Sequence, residues 1–148
     1  MTGRMSTART APERLSAAKR RRSWRVAETL GKSFKFAGNG ILYATATQRN
    51  FRIHLAMGTL ALGLGALLHV TLLELSVIGL TIAMVLALEL VNTAIEATVD
   101  LVVGEQYHRL AGIAKDCAAG AVLVAAFTSL FVACCILLPP AWRLVLGA

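Results

Sequence analysis

Apolar residues fall into four blocks along the chain, separated by short polar stretches. In the first, Trp24, Ala27, Leu30, Phe34, Ala37, Ile41 and Ala44 follow one another every three or four residues, while Arg25, Glu28, Lys32, Lys35 and Asn39 lie mostly off that line. The pattern predicts an amphipathic helix over 24–48, suited to lying on a membrane rather than crossing it. Gly38 and Gly40 weaken it midway, and it closes on Thr47-Gln48-Arg49-Asn50-Phe51-Arg52. The next block, 53–73, has no Lys, Arg, Asp or Glu across 21 residues. That is long enough to span ~30 Å of hydrocarbon, and Gly58, Ala61, Gly63 and Gly65 suit close helix contact. Glu74 alone marks the turn into a second span over 75–103, which at about 43 Å should project beyond the hydrocarbon. A polar loop from Gly104 to Leu110 leads through Ala111–Asp116 to a third span over 117–138, closed by Pro139-Pro140 and anchored by Trp142 and Arg143. The expected fold is an all-α membrane protein with a surface helix and three transmembrane helices.

Charge refines this picture. Residues 1–35 hold ten Lys/Arg against Glu13 and Glu28, net +8, whereas the whole chain carries only +7. The basic end therefore reads as a disordered arm over 1–22, followed by one membrane unit over 23–143. Attraction to anionic headgroups and the positive-inside rule explain the arm without nucleic acid, for which no recognition module follows. They place the N-terminus in the cytoplasm and the C-terminus outside. The 104–116 loop, with Arg109 and Lys115, then falls inside, and the outer turn carries only Glu74. No apolar core follows the arginine run early enough for a secretory signal, while the Arg-, Ser- and Ala-rich start leaves an organelle transit peptide open. At 57% hydrophobic residues the chain is too apolar for an ordinary soluble domain. Cys117, Cys134 and Cys135 form no CxxC pair and read as small buried hydrophobes. His54 and His69 read as structural or interfacial, since neither has a ligand partner at metal-site spacing.

Against this background one polar row stands out. At ~100° per residue, Glu89, Asn92, Glu96 and Asp100 sit at relative angles of roughly 0°, −60°, −20° and +20°, a single face of the second span. Carboxylates in a bilayer are costly and normally face a protein interior, a partner or an ion. Near the same boundary lie Gln48, Arg49, Asn50 and Arg52, together with Glu105 to His108, Lys115 and Asp116. Carboxylates at an aqueous rim suit Mg²⁺ with substrate phosphates, and Lys and Arg suit the phosphates themselves. A carboxylate withdrawn from water is also a better proton acceptor from an alcohol. Together these point to phosphoryl transfer from a cytosolic nucleotide to a lipid hydroxyl. Two other readings stay open: a polar face that only holds helices together, and half of a proton or cation path. Against the path, 75–88 offers nothing polar except Ser76 and Thr81. No GxxxxGK[ST] or GxGxxG is present, so a soluble-type nucleotide fold is excluded.

The string from Glu89 through Asn92 and Glu96 to Asp100, with Tyr107-His108 and Ala114-Lys115-Asp116 after it, closely resembles the prokaryotic diacylglycerol kinase/undecaprenol kinase family. Ser33-Phe34-Lys35-Phe36-Ala37 and Arg49-Asn50-Phe51-Arg52-Ile53-His54 match its earlier motif, so the resemblance covers residues 28–138. It implies a homotrimeric inner-membrane kinase with active sites between subunits, in which MgATP donates to the hydroxyl of diacylglycerol or undecaprenol. By position, Glu89 would be the catalytic base, Asn92 its polar neighbour and Glu96 a metal ligand. Glu105 or Gln106, with Tyr107, His108, Lys115 and Asp116, would contact nucleotide, and Phe36 would stand against the base. Two departures matter. Gln48 stands where the family usually has a metal-binding Glu, so Asp100 or Glu105 would have to compensate or the site is weakened. The stretch from Asp100 to Tyr107 is also one residue longer than in most relatives. A catalytically silent lipid-binding or scaffolding protein is the rival that Gln48 makes conceivable.

Overall fold

A computed structural model describes the backbone of residues 11–147 and the side chains of residues 29–147. Four helices make up the described chain: α1 (Ala11–Thr47), α2 (Arg49–Leu67), α3 (Leu72–Val103) and α4 (Arg109–Leu146). There is no strand among the described residues. Both α3 and α4 are long and apolar enough to cross a membrane. The chain divides between Gly40 and Ile41 into two compact units. In the first, Leu30, Phe34 and Phe36 are exposed on α1.

In the second unit α3 is the central element, with α2 and α4 packed against it and barely touching one another. Both pairs run antiparallel. Gly65 meets Leu75 and Gly58 meets Ile82 across α2 and α3, while Ser129 Oγ of α4 donates to Thr81 Oγ1 of α3 at 3.2 Å. The core is thin: Ala44, Phe51, Ile78, Val85, Val122 and Ala125. Leu60, Leu80, Met84, Val124, Phe127 and Phe131 stay exposed, an apolar surface too extensive for a monomer in water.

Small residues set the α2–α3 distance, as the sequence leads one to expect, but unequally. A Cβ on Gly58 would fall 2.6 Å from Ile82 Cγ2, a methyl on the branched Cβ with little freedom to swing aside, whereas nothing lies within 4 Å of a Cβ on Gly63. Gly58→Ala should therefore destabilise the fold by about 1–3 kcal/mol through overpacking. Truncating Ile82 to Ala in that background should recover part of the loss, measured by denaturant unfolding in micelles.

Several expected boundaries move. The amphipathic helix expected over 24–48 begins at Ala11, so residues 11–22 of the expected arm are helical, and residues 1–10 lie outside the described residues. The span expected over 53–73 is a helix over Arg49–Leu67 instead. Gln48 alone breaks α1 from α2, with extended φ/ψ of −94° and 112°. Arg49 and Asn50 therefore open α2 rather than ending α1. At its far end α2 stops in a Schellman turn: His69 N–H donates to Ala66 C=O (3.2 Å) and Val70 N–H to Gly65 C=O (3.1 Å). His69 takes the left-handed position, φ 52°, usually given to glycine.

Glu74 does not mark a turn. It lies inside α3 as the reciprocal partner of Thr71, whose hydroxyl accepts from Glu74 N–H while the Glu74 carboxylate accepts from Thr71 N–H at 2.8 Å. Pro139 and Pro140 do not end the last helix but sit inside it. Neighbouring groups in a membrane protein can satisfy the carbonyls that proline leaves unpaired. Cys117 and Cys135 are exposed on α4 rather than buried, and all three cysteines are free.

Candidate active site

The polar row on α3 keeps its helical register, and its members meet different surroundings along the helix. Glu89 is only 4% exposed, the one buried charged residue among the described residues. Its Oε1 lies 3.4 Å from His54 Nε2 of α2. One turn on, Asn92 Nδ2 donates to Glu96 Oε1 at 2.9 Å. Asn92 Oδ1 is buried without a hydrogen-bond partner. An orphaned buried acceptor costs about 1–3 kcal/mol, a cost that an incoming donor or cation would remove. Farther along, Asp100 is exposed and pairs with Lys115 Nζ of α4. The row thus begins beneath α2 and ends against α4.

The turn between α3 and α4 supplies a second part. Gly104 closes α3 with φ 58° and ψ −131°, a conformation open to glycine alone, and its N–H caps Asp100 C=O. The chain then doubles back so that Gln106, Tyr107 and His108 face Thr98 and Val99 across a groove of about 480 Å³. Of the two alternatives from sequence, Gln106 lines this groove and Glu105 is an exposed neighbour outside it. Asp116 is exposed, and Lys115, expected like it to contact nucleotide, is held by Asp100.

Other candidates stand apart. Gln48 donates from Nε2 to its neighbour Thr47 Oγ1 at 3.3 Å. Arg52 donates to the carbonyls of Thr45 and Ala46 at 3.2 and 3.1 Å, capping the end of α1. Phe36 belongs to the first unit and is 68% exposed there. His54 is the residue that sequence reasoning set aside. It also opens a second, apolar groove of about 280 Å³, walled by Met57, Ile82, Leu123 and Phe127. The sequence held its signal in the motif Arg49 to His54, but nothing local revealed Glu89 as its neighbour.

A buried carboxylate beside an imidazole, a hydrogen-bonded amide–carboxylate pair and a lysine-bearing rim form a chemical sequence from apolar to aqueous. The sequence profile of the prokaryotic diacylglycerol kinases matches residues 35–137, well over half of the chain. The chain belongs to the prokaryotic diacylglycerol kinase family. It is 52% identical over 121 residues to a diacylglycerol kinase of Synechocystis sp., covering 82% of this chain and 69% of that one. It is 45% identical over 108 residues to the undecaprenol kinase of Bacillus subtilis, covering 73% and 87%. With the diacylglycerol kinase of Escherichia coli it shares 31% identity over 113 residues, covering 76% and 88%. As a member of the diacylglycerol kinase family it is a phosphotransferase with an alcohol acceptor, and its two long apolar helices make it a membrane protein.

Proposed function

We propose that the protein is an ATP- and Mg²⁺-dependent lipid kinase that phosphorylates the hydroxyl of diacylglycerol or undecaprenol. The observation that carries this reading is the burial of Glu89 at the apolar end of a row whose other end, Asp100 with Lys115, reaches water. Glu89, shielded by α2, takes the proton of the acceptor hydroxyl. The apolar groove beginning at His54 gives the acceptor's tail a wall of side chains. Gln106, Tyr107 and His108 bind the nucleotide in the turn groove, with Lys115 and Asp116 contacting it from the start of α4. With the acceptor and donor held this way, orientation supplies much of the rate.

The donor set fits a magnesium ion that takes most of its shell from phosphate and water. Glu96 would hold it, with Asn92 fixing one carboxylate oxygen, and Gln48 would add only a neutral amide oxygen. The ion, when bound, neutralises charge on the transferring phosphoryl group. Gln48→Glu should accordingly lower the Mg²⁺ concentration for half-maximal turnover by about tenfold. No change there would mean that position 48 does not face the metal. In the membrane, α2, α3 and α4 form three spans with the N-terminus cytoplasmic and the C-terminus outside, in an inner-membrane homotrimer whose sites lie between subunits.

The test is incubation of the purified protein with labelled ATP, Mg²⁺ and each lipid in turn. Label in one lipid product supports the kinase and names the acceptor. Lipid binding without transfer would favour a silent scaffold, and a proton flux in liposomes without ATP would favour conduction.

A further inference from the structure

His54 has so far been given only a place at the start of the acceptor groove, yet it is the one side chain set against the buried carboxylate. Its Nε2 lies 3.4 Å from Glu89 Oε1. Thr93, the other polar neighbour, spends its hydroxyl on the Glu89 backbone carbonyl at 2.9 Å. Among the described residues no other side chain bonds or ion-pairs with this carboxylate. A carboxylate buried without a donor is unstable in place and free to rotate, and neither suits a base that must meet a hydroxyl at one angle.

The chemistry of the partner matters as well. An arginine here would carry a permanent charge, and a lysine charged by the carboxylate would act likewise, each weakening Glu89 as a proton acceptor. An imidazole can donate one N–H while staying neutral, so it holds one oxygen and leaves the other basic. The position on the chain also serves this role. His54 lies one turn into α2, behind Phe51, which is buried, and ahead of Gly58, whose close contact with Ile82 fixes α2 against α3. The imidazole is thus carried by a helix that cannot drift from the carboxylate.

We propose that His54 is a positioning residue for Glu89: its Nε2–H holds Oε1, leaving Oε2 to take the proton of the acceptor hydroxyl. This rests on the kinase reading above. In the step it serves, the hydroxyl proton passes to Glu89 and the acceptor oxygen bonds to the terminal phosphorus of the nucleoside triphosphate. The bond from that phosphorus to the bridging oxygen breaks, and the diphosphate leaves with the electron pair. His54 gains and loses nothing.

The experiment compares His54→Leu, His54→Gln, Glu89→Gln and the double variant His54→Leu/Glu89→Gln in lipid kinase turnover, with thermal unfolding in micelles alongside. His54→Leu should lower kcat by ~100-fold with the KM for ATP unchanged, the loss expected when a base is misplaced. His54→Gln presents an amide N–H at similar reach and should stay within about tenfold of the parent. Adding His54→Leu to Glu89→Gln should cost nothing more, because one group acts through the other. Full kcat in His54→Leu would overturn the proposal, as would additive losses in the double variant. Equal losses in His54→Leu and a stably folded His54→Gln would also overturn it, since the donor would not be what matters. Full activity in Glu89→Gln would instead overturn the kinase reading of Glu89 itself.

Discussion

Glu96→Gln is expected to abolish Mg²⁺-dependent turnover while leaving the fold and its assembly intact. The substitution keeps size and shape, and the new amide oxygen can still accept from Asn92 Nδ2, the bond that orients residue 96. Only the charge is lost. Magnesium holds its protein ligands through hard anionic oxygens and keeps several waters, and with Gln48 neutral no second carboxylate is assigned to it. Activity at fixed Mg²⁺ should fall at least ~100-fold, and raising Mg²⁺ should restore part of it. Titrating turnover against Mg²⁺, with size-exclusion chromatography as the control for assembly, provides the measurement. Full activity would remove Glu96 from the metal site.

Glu89→Gln comes next in size and affects a different parameter. Removing a general base costs roughly 10²–10⁴-fold in rate. Because the proposed nucleotide groove is formed by residues near the α3–α4 turn, the KM for ATP should hardly move while kcat collapses. The variant should also fold at least as well as the parent, since a neutral amide replaces a buried carboxylate. A drop in kcat accompanied by a large rise in the KM for ATP would mean that Glu89 serves donor binding instead.

The row on α3 was legible because helical periodicity is a local rule: four residues at the right spacing must share a face wherever the helix goes. The α2 boundaries were not, because charge counts report what membrane tolerates, whereas hydrogen bonds decide where a helix ends. Thr71-Leu72-Leu73-Glu74 spelled out a capping box in plain sight, but reading Glu74 only as a charge concealed it. The prolines misled in the same way, as stop signals drawn from helices in water. His54 beside Glu89, and Lys115 held by Asp100, depend on how separate helices register. Spacing along the chain carries no information about either.

One consequence follows from unequal lengths. α2 has 19 residues and α3 has 32, and α2 ends at the tight turn from which α3 begins. At ~1.5 Å per residue, α3 therefore outreaches its neighbour by nearly 20 Å. Glu89 lies under the last of that cover, while Glu96 and Asp100 lie past it. The helix works as a ruler: it fixes how deep the proposed base sits, while the thickness of the surrounding lipid fixes how deep the alcohol floats. Turnover by this enzyme should then rise and fall with acyl-chain length of the host bilayer, even when acceptor and nucleotide concentrations are held constant.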